Sequence, residues 1–487
     1  MTVPSSNPAA APGKPTFAVS SIDFSCRLPL LVLFISAAKW LVIGWVFELI
    51  ASLKFHAPGF LADYAWLTYG RVHPAFTNSI IYGFCLQAGL GVTLWLFARL
   101  GNAPLAQRGL VTLGAAFWNL GVTIGVIGIL LGDSTGFEHL EMPGYAVVFI
   151  FIGYLLMALW AVVTFHQRRE RKLVVSHWFL FTALLWFPWI YSTANLLLVT
   201  FPVRGIAQAV IAWWYSQNLL VAWLSLVGLG VAFCFIPKIV RRELSSHYLA
   251  VFVYWMLILV AGWGGIPGSA PVPAWMPVLS TIASVFLLLA IVAVALNVGE
   301  TVGFSLSAFR QGPIASFFVF GILAFVLAGV MRTASALRET SQSLNLTWFA
   351  PASTLLNYYG FFGMIMFGAI YVIMPRLLGV ELPWPKLLRA HFWLSVAGIL
   401  LVVLPLALAG IFEVISLSDA RTPFLTVMHS TLTFFRVSTM GDLLLLIGHV
   451  LFLTNIGGLV AGFYRARAEA TYAELTADLF KPAGAKS

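Results

Sequence analysis

The chain has 487 residues, of which 61% are hydrophobic and 9% are charged, and its mean hydropathy is +0.95. This composition excludes a water-soluble domain of the same length, whose surface needs many more charged residues. The net charge is +10, but the basic residues are divided among short loops and form no stripe interleaved with aromatic side chains. A nucleic-acid-binding surface is therefore excluded as well.

Apolar runs of roughly 20 residues, long enough to cross the hydrocarbon core of a bilayer, follow one another along the chain. They predict an all-α membrane protein with twelve transmembrane helices near residues 29–52, 76–99, 109–131, 143–165, 177–201, 207–236, 247–264, 274–298, 315–331, 349–374, 391–413 and 442–464. No polar block between these runs is large enough to form a soluble domain. We therefore predict a disordered cytoplasmic tail at 1–28, a single transmembrane domain at 29–464 and a cytoplasmic carboxyl-terminal tail at 465–487.

Lysine and arginine residues are concentrated in the amino-terminal tail and in the even-numbered loops, as in the cluster of Arg168, Arg169, Arg171 and Lys172. The positive-inside rule places these segments, and with them both chain termini, in the cytoplasm. The first apolar run has no small-residue cleavage site behind it, so we predict that no signal peptide is removed.

Five sequence blocks resemble subunit I of the cbb3-type (C-family) cytochrome c oxidases, which are members of the haem-copper oxidase superfamily. The blocks occur in the family's order and are spread over most of the chain. They are YGRVHPAFTNSIIYGF (69–84), AWWYSQNLLV (212–221), FIPK (235–238), PAWMP (273–277) and GMIMFGAIYVIMPRLLG (363–379).

The resemblance implies a twelve-helix bundle of the subunit I type in the inner membrane of a bacterium. In this family the subunit holds a low-spin haem b, a high-spin haem b3 and a copper through six histidines. It reduces oxygen to water with electrons from c-type cytochromes. The partners it implies are other membrane subunits, possible c-type cytochrome subunits and the lipid bilayer.

Comparison with the family pattern shows that none of the six histidine positions holds a histidine in this chain. The low-spin haem position in the second span is Phe76, and the copper position in the sixth span is Gln217. The copper-binding His-His pair falls on Gly265 and Ile266, the two haem ligands of the tenth span fall on Ser353 and Leu355, and the active-site tyrosine falls on Leu259.

Haem iron and copper require imidazole, thiolate, thioether or phenolate donors. Phenylalanine, isoleucine, leucine and glycine side chains offer no lone pair, and serine and glutamine are poor ligands for either metal. A shifted register does not help the sixth and tenth spans, because residues 207–236 and 349–374 contain no histidine. We therefore expect no haem or copper in this chain, and a vacated interior that has partly closed.

Three polar residues remain as weak candidates for a functional role. His73 lies one helical turn before Phe76, and His449 lies in the middle of the last predicted span. Lys39 lies inside the first span with no acidic residue three or four positions away. Structural interpretations compete with each of them: an interfacial histidine, an interhelical hydrogen bond, and a snorkelling or ion-paired lysine.

Three functional hypotheses follow. The first is a non-catalytic membrane subunit of a respiratory or related electron-transport complex, a pseudoenzyme derived from oxidase subunit I. The second is an active cytochrome c oxidase or nitric oxide reductase with displaced haem ligands. The third is a carrier or sensor that uses the vacated haem cavity. The family implies oxygen reduction, whereas the loss of ligands argues against catalysis by this chain.

Overall fold

A computed structural model describes residues 20–304 and 312–479 of the chain. The described residues form helices and connecting loops, with no β-strand among them. Most of the predicted tail at 1–28, the segment 305–311 and the last eight residues of the predicted carboxyl-terminal tail lie outside the described residues.

Eleven helices in the described part of the chain are long and apolar enough to cross a membrane, and a twelfth apolar helix is shorter. In chain order they are α1 Ser21–His56, α2 Tyr69–Leu100, α3 Arg108–Leu131, α4 Gly144–His166, α5 Val175–Thr200, α6 Ile206–Val240, α7 His247–Trp263, α8 Trp275–Val302, α9 Pro313–Ala336, α10 Phe349–Leu378, α11 Pro385–Leu417 and α12 Phe424–Leu479. Short helical segments, Ala65–Leu67 and Arg338–Leu344, precede α2 and α10.

Local sequence signals account for the helix ends. The side chain of Ser20 accepts a hydrogen bond from the backbone N–H of Asp23 and so caps the start of α1. Helices α9 and α11 begin with Pro313 and Pro385, at the position where a missing N–H costs nothing. Helix α3 ends at Gly132, whose φ of 107° favours glycine.

The first and last helices are longer than their apolar runs. Helix α1 begins eight residues before the predicted boundary at 29, and α12 begins at Phe424 rather than near 442. The reason in α12 is that its first turns carry His429, Arg436 and several Ser and Thr residues, which lower the hydropathy without breaking the helix.

Helices α2, α6 and α10 form the centre of the bundle. The most apolar windows of α2 and α6 are completely buried and that of α10 is 83% buried, whereas the other spans are 39–61% buried. Around them, α3 packs on α4, α11 packs on α12, and α12 also contacts α1. The three central helices are the ones that carry Phe76, Gln217, Ser353 and Leu355, so the fold directs these positions into the protein interior.

Candidate functional site

The backbone of the three central helices changes from α-helical to π-helical next to the predicted ligand positions. Phe76, Gln217 and Leu355 each precede such a segment by three residues or fewer. The segments are Ser79–Leu86 in α2, Asn218–Trp223 in α6 and Leu356–Gly363 in α10. Because π-helical turns occur frequently at functional sites, their coincidence with these positions marks one candidate site in the bundle core.

The predicted copper positions contact one another directly. Gln217 is buried, and its Nε2 donates a hydrogen bond to the carbonyl oxygen of Ala261 at 2.9 Å. Gly265 has a φ of 92°, and a Cβ built on it would lie 2.8 Å from the Cβ of Gln217. The next residue, Ile266, donates its backbone N–H to Ser280 Oγ at 3.0 Å. Glycine is therefore required at 265 both by its φ and by the closeness of Gln217.

Gln217 and its neighbour Asn218 donate hydrogen bonds to backbone carbonyl groups at the end of the short helix α7. The last carbonyl groups of a helix have no partner within the helix, and in a bilayer no water replaces that partner. Gln217 bonds the carbonyl of Ala261, and Asn218 Nδ2 lies 3.5 Å from the carbonyl oxygen of Gly262. The amide at 217 thus has a structural function that an apolar side chain lacks.

The remaining predicted positions differ in their surroundings. Leu259 is 60% exposed on the outer face of α7, so it does not contribute to the interior. Ser353 is buried, and Leu355 is half-buried and packed against the core. The structure therefore brings Gln217 and Gly265 together and directs Leu259 away from them.

Aromatic side chains fill the space beside Phe76, the predicted low-spin haem position. Phe76 is buried, and its ring meets Trp45 edge-on with 5.2 Å between ring centroids. Trp45 also packs on Tyr359 at 4.6 Å and on His449 at 4.8 Å. The Tyr359 hydroxyl lies 3.1 Å from His449 Nε2. His449 thus has a hydrogen-bond partner on another helix, as expected if its role is structural.

A second imidazole lies beside His449. His391, on α11, is fully buried, and its ring centroid is 6.3 Å from that of His449 on α12. Its Nδ1 lies 3.1 Å from the Tyr371 hydroxyl, while its Nε2 has no hydrogen-bond partner in the described part of the chain. The sequence gives no sign of this pair, because the two histidines come from different helices.

The weak candidates His73 and Lys39 lie at the edge of the bundle. His73 Nδ1 is 3.2 Å from Glu48 Oε2, and its ring stacks on Tyr69 at 5.3 Å. The side chain of His73 is 41% exposed, which fits an interfacial histidine. Lys39 is exposed on the outer face of α1.

A buried polar cluster lies at the end of the bundle that holds the loop between α3 and α4. Asn78 Nδ2 donates to Glu141 Oε2 at 2.8 Å, and the Tyr82 hydroxyl donates to the carbonyl of His139 at 2.7 Å. Ser216 Oγ and His139 Nδ1 are 2.5 Å apart. Burial raises the pKa of Glu141, while the nearby His139 and the hydrogen bond from Asn78 act in the opposite direction.

Two surface cavities in the described part of the chain are lined by residues other than the predicted ligand positions. An open cavity of about 500 Å³ beside this cluster is lined by Glu138, Gln208 and Ser216 among others. A second one of about 200 Å³ lies between α4 and α5 and includes Asn195. Neither cavity therefore offers a binding site at the predicted ligand positions.

The residues at the six predicted ligand positions do not fit haem iron or copper. They supply one amide and one hydroxyl as their only polar side-chain groups, and the amide of Gln217 is already bonded to Ala261. Within residues 20–304 and 312–479 no three His, Cys, Asp or Glu side chains lie close enough together to hold a metal ion.

Comparison with known proteins identifies relatives over almost the whole chain. The family described as "Cytochrome C and Quinol oxidase polypeptide I" matches residues 29–444. A cytochrome c oxidase subunit 1 homologue of Azorhizobium caulinodans is 24% identical over 473 residues, covering 92% of this chain and 83% of the relative. A cbb3-type cytochrome c oxidase subunit of Stutzerimonas stutzeri is 23% identical over 389 residues, covering 78% of this chain and 82% of that one.

The fold is found in a solved structure of a heme-copper terminal oxidase dimer. The two chains superpose with a TM-score of 0.69 at 13% identity, covering 92% of this chain and 84% of the other. The prediction of an all-α, twelve-helix membrane bundle of this type is confirmed. The prediction of a multi-pass membrane protein is confirmed with it.

The expectation that the chain binds no haem or copper is wrong. The matching family and the solved neighbour are haem-copper oxidases, and these relatives point to cofactor binding. The lack of histidine at the six predicted ligand positions does not leave the chain without buried imidazoles, because His139, His391 and His449 are buried elsewhere.

Proposed function

Because the chain belongs to the cytochrome c and quinol oxidase polypeptide I family, we propose that it is a cbb3-type subunit I homologue that has lost the family's ligand set. In this proposal it serves as a membrane subunit of a respiratory complex and does not itself reduce oxygen. Its partners are other membrane subunits, with c-type cytochrome subunits among the candidates.

The contact between Gln217 and Ala261 carries the proposal. Oxygen reduction in this family needs a copper held by three imidazoles facing the high-spin haem, as the resemblance implies. The resemblance assigns those three positions to Gln217, Gly265 and Ile266, and the Gln217 amide already donates a hydrogen bond to the end of α7. An imidazole at 265 would need a Cβ within 2.8 Å of Gln217 Cβ, on a backbone that disfavours side chains.

The aromatic packing at Phe76 supports the same proposal. Trp45, Tyr359 and His449 occupy the volume next to the former low-spin haem ligand and contact one another directly. The side chain at 76 is therefore packed as part of the apolar core and is not placed as a metal ligand.

Oxygen uptake tests the proposal directly. The complex containing this chain is purified from its native membranes with mild detergent and supplied with a reduced c-type cytochrome. We expect uptake no greater than that of detergent buffer, whereas an active relative prepared in the same way consumes oxygen. Cyanide-sensitive uptake that co-purifies with the chain would overturn the proposal.

A second function, an oxidase or nitric oxide reductase with displaced ligands, is favoured by the buried pair His391 and His449. It predicts a b-type haem signal in the reduced-minus-oxidised spectrum that depends on these imidazoles. His391→Phe and His449→Phe would each abolish that signal, while the edge variant His73→Phe would leave it unchanged. A haem signal insensitive to all three variants would exclude the displaced-ligand function.

We also propose that the protein lies in the bacterial inner membrane with both termini in the cytoplasm. The cluster of Arg168, Arg169, Arg171 and Lys172 in the loop after α4 supports this orientation. A fluorescent protein fused to the carboxyl terminus folds in the cytoplasm and should be bright, whereas alkaline phosphatase at the same place should be inactive. Active phosphatase would reverse the proposed orientation.

A further inference from the structure

Lys39 is a cation at mid-membrane depth. It lies midway along the 36-residue helix α1, roughly 25 Å from either end at 1.5 Å per residue. The neighbouring Trp40 donates its Nε1–H to Asn119 Oδ1 at 3.2 Å, and Asn119 lies midway along the 24-residue helix α3. Two helices thus place Lys39 near the centre of the bilayer independently.

The polar side chains near Lys39 form hydrogen bonds with one another and not with Lys39. Ser36 Oγ donates to Gln87 Oε1 at 2.7 Å, and Asn119 Nδ2 donates to the same oxygen at 2.8 Å. The Lys39 Nζ lies over the Trp40 ring, 5.2 Å from its centroid. Among residues 20–304 and 312–479 no carboxylate lies within ion-pair distance of Lys39.

Lys39 faces outward on an otherwise apolar stripe. Phe24, Leu28 and Val46 are 51%, 51% and 41% exposed, and their spacing puts them on the same face of α1 as Lys39. Lipid tails offer this ammonium group no partner. Headgroups lie about 15 Å from the bilayer midplane, much farther than the four-carbon stem of lysine extends.

A second copy of this chain does not supply the missing partner. The acidic side chains that lie well inside the described spans are already engaged or enclosed: Glu48 pairs with His73, Glu413 accepts from the backbone N–H of Trp348, and Asp442 is buried. Two copies joined by this face would bring one Lys39 toward the other.

We infer that the stripe on α1 formed by Phe24, Leu28, Lys39 and Val46 docks a transmembrane helix of another subunit. That helix is apolar apart from one aspartate or glutamate near its middle, which pairs with Lys39. Charged side chains inside a membrane usually pair with a group of opposite charge. Lys39 has no such group within this chain's described residues, so a carboxylate on the partner helix would complete the pair. The inference rests on the proposed role as a subunit of a membrane complex, and it names the chemistry of one partner.

An apolar carbodiimide tests the contact in native membranes. Dicyclohexylcarbodiimide enters the bilayer and activates a buried carboxyl group, which an adjacent lysine amine then attacks to form an amide with release of the urea. We expect peptide mapping of the full chain to find Lys39 joined to an aspartate or glutamate in the middle of an apolar segment of another polypeptide. Absence of such a link, or links only to this chain, would overturn the inference.

Variants give a second measurement on the intact complex. Lys39→Met should remove the partner from the complex on a native gel, whereas Lys39→Arg and Leu155→Met, the latter at an exposed position on α4, should retain it. Since Lys39 faces outward, the methionine variant leaves the packed core unchanged. A Lys39→Met complex of unchanged size would also overturn the inference. The proposed function is tested separately by oxygen uptake, because neither outcome for the Lys39 variants alters the uptake expected for the complex.

Discussion

The side-chain amide of Gln217 on α6 donates a hydrogen bond to the backbone carbonyl of Ala261 near the end of α7, at a distance of 2.9 Å. Helix α7 is the shortest of the twelve, and Ala261 near its end is fully buried. Glutamine at 217 therefore holds α7 in place, in a position where the family implies a metal ligand.

Gln217→Leu should destabilise the protein by about 1–3 kcal/mol, since it leaves the Ala261 carbonyl buried without its donor. The measurement is thermal unfolding of the detergent-solubilised protein, followed by tryptophan fluorescence. The same substitution at Gln208, in the first turn of α6, is the control and should have little effect. Equal melting temperatures for Gln217→Leu and the unaltered protein would show that the bond contributes nothing.

The twelve helices and the type of membrane bundle they form could be predicted from the sequence. Hydropathy detects apolar runs, and the family blocks give the register of α2, α6 and α10. The partner of Gln217 could not be predicted, because Ala261 is on another helix and contributes only a backbone carbonyl. The π-helical segments could not be predicted either. These helices are apolar on all sides, so the spacing of their apolar residues does not distinguish π-helical from α-helical hydrogen bonding.

Phe76→Ala should destabilise the protein by about 3–5 kcal/mol, the usual cost of removing a buried phenylalanine ring. The loss would be at the upper end of this range if Trp45 stays in place, because the cavity beside it would then remain open. Thermal unfolding in detergent again provides the measurement.

The matched control for Phe76→Ala is Phe24→Ala, because Phe24 is 51% exposed on the outer face of α1. It should change the melting temperature little. If both variants lose the same stability, the packing of Phe76 against Trp45 is not what makes this position important.

The pair Tyr359 and His449 shows a second limit of sequence reasoning. The sequence identified His449 as a mid-membrane polar residue that needs a partner, and the structure supplies the Tyr359 hydroxyl. The proximity of His391 was not predictable, because α11 and α12 are antiparallel and their register depends on packing. Lys39 was recognised as unpaired along its own helix, but only the bundle shows that it faces outward.

Stability should depend on pH through Glu141, whose pKa is raised above 4.5 by burial. Below pH 4.5 the carboxyl group is protonated in both states. Between pH 4.5 and the raised pKa the folded protein keeps a proton that the unfolded chain has lost, so stability falls as the pH rises. Each unit of difference between the two pKa values corresponds to about 1.4 kcal/mol.

Glu141→Gln should flatten this pH dependence, since a neutral amide still accepts the hydrogen bond from Asn78. The measurement is the melting temperature of both proteins between pH 4 and 8. Glu138→Gln, three residues earlier and 79% exposed, is the control and should keep the original slope. Identical slopes for all three proteins would assign the pH dependence to groups other than Glu141.

Asp23→Asn should loosen the end of the bundle where α1 begins. Asp23 is buried, accepts a hydrogen bond from Trp95 Nε1 at 2.9 Å and pairs with Arg99 at 2.8 Å, so its carboxylate joins α1 to the end of α2. Asparagine keeps one acceptor oxygen but turns N–H groups toward a guanidinium, and we expect the free energy of unfolding to fall by about 1–3 kcal/mol, measured by thermal unfolding.

The control is Glu469→Gln, which breaks an ion pair with Arg465. The side chains of Glu469 and Arg465 are 65% and 83% exposed, so this variant should not change the stability measurably. If Asp23→Asn were as harmless as Glu469→Gln, then the anchoring of α1 would come from its apolar contacts alone.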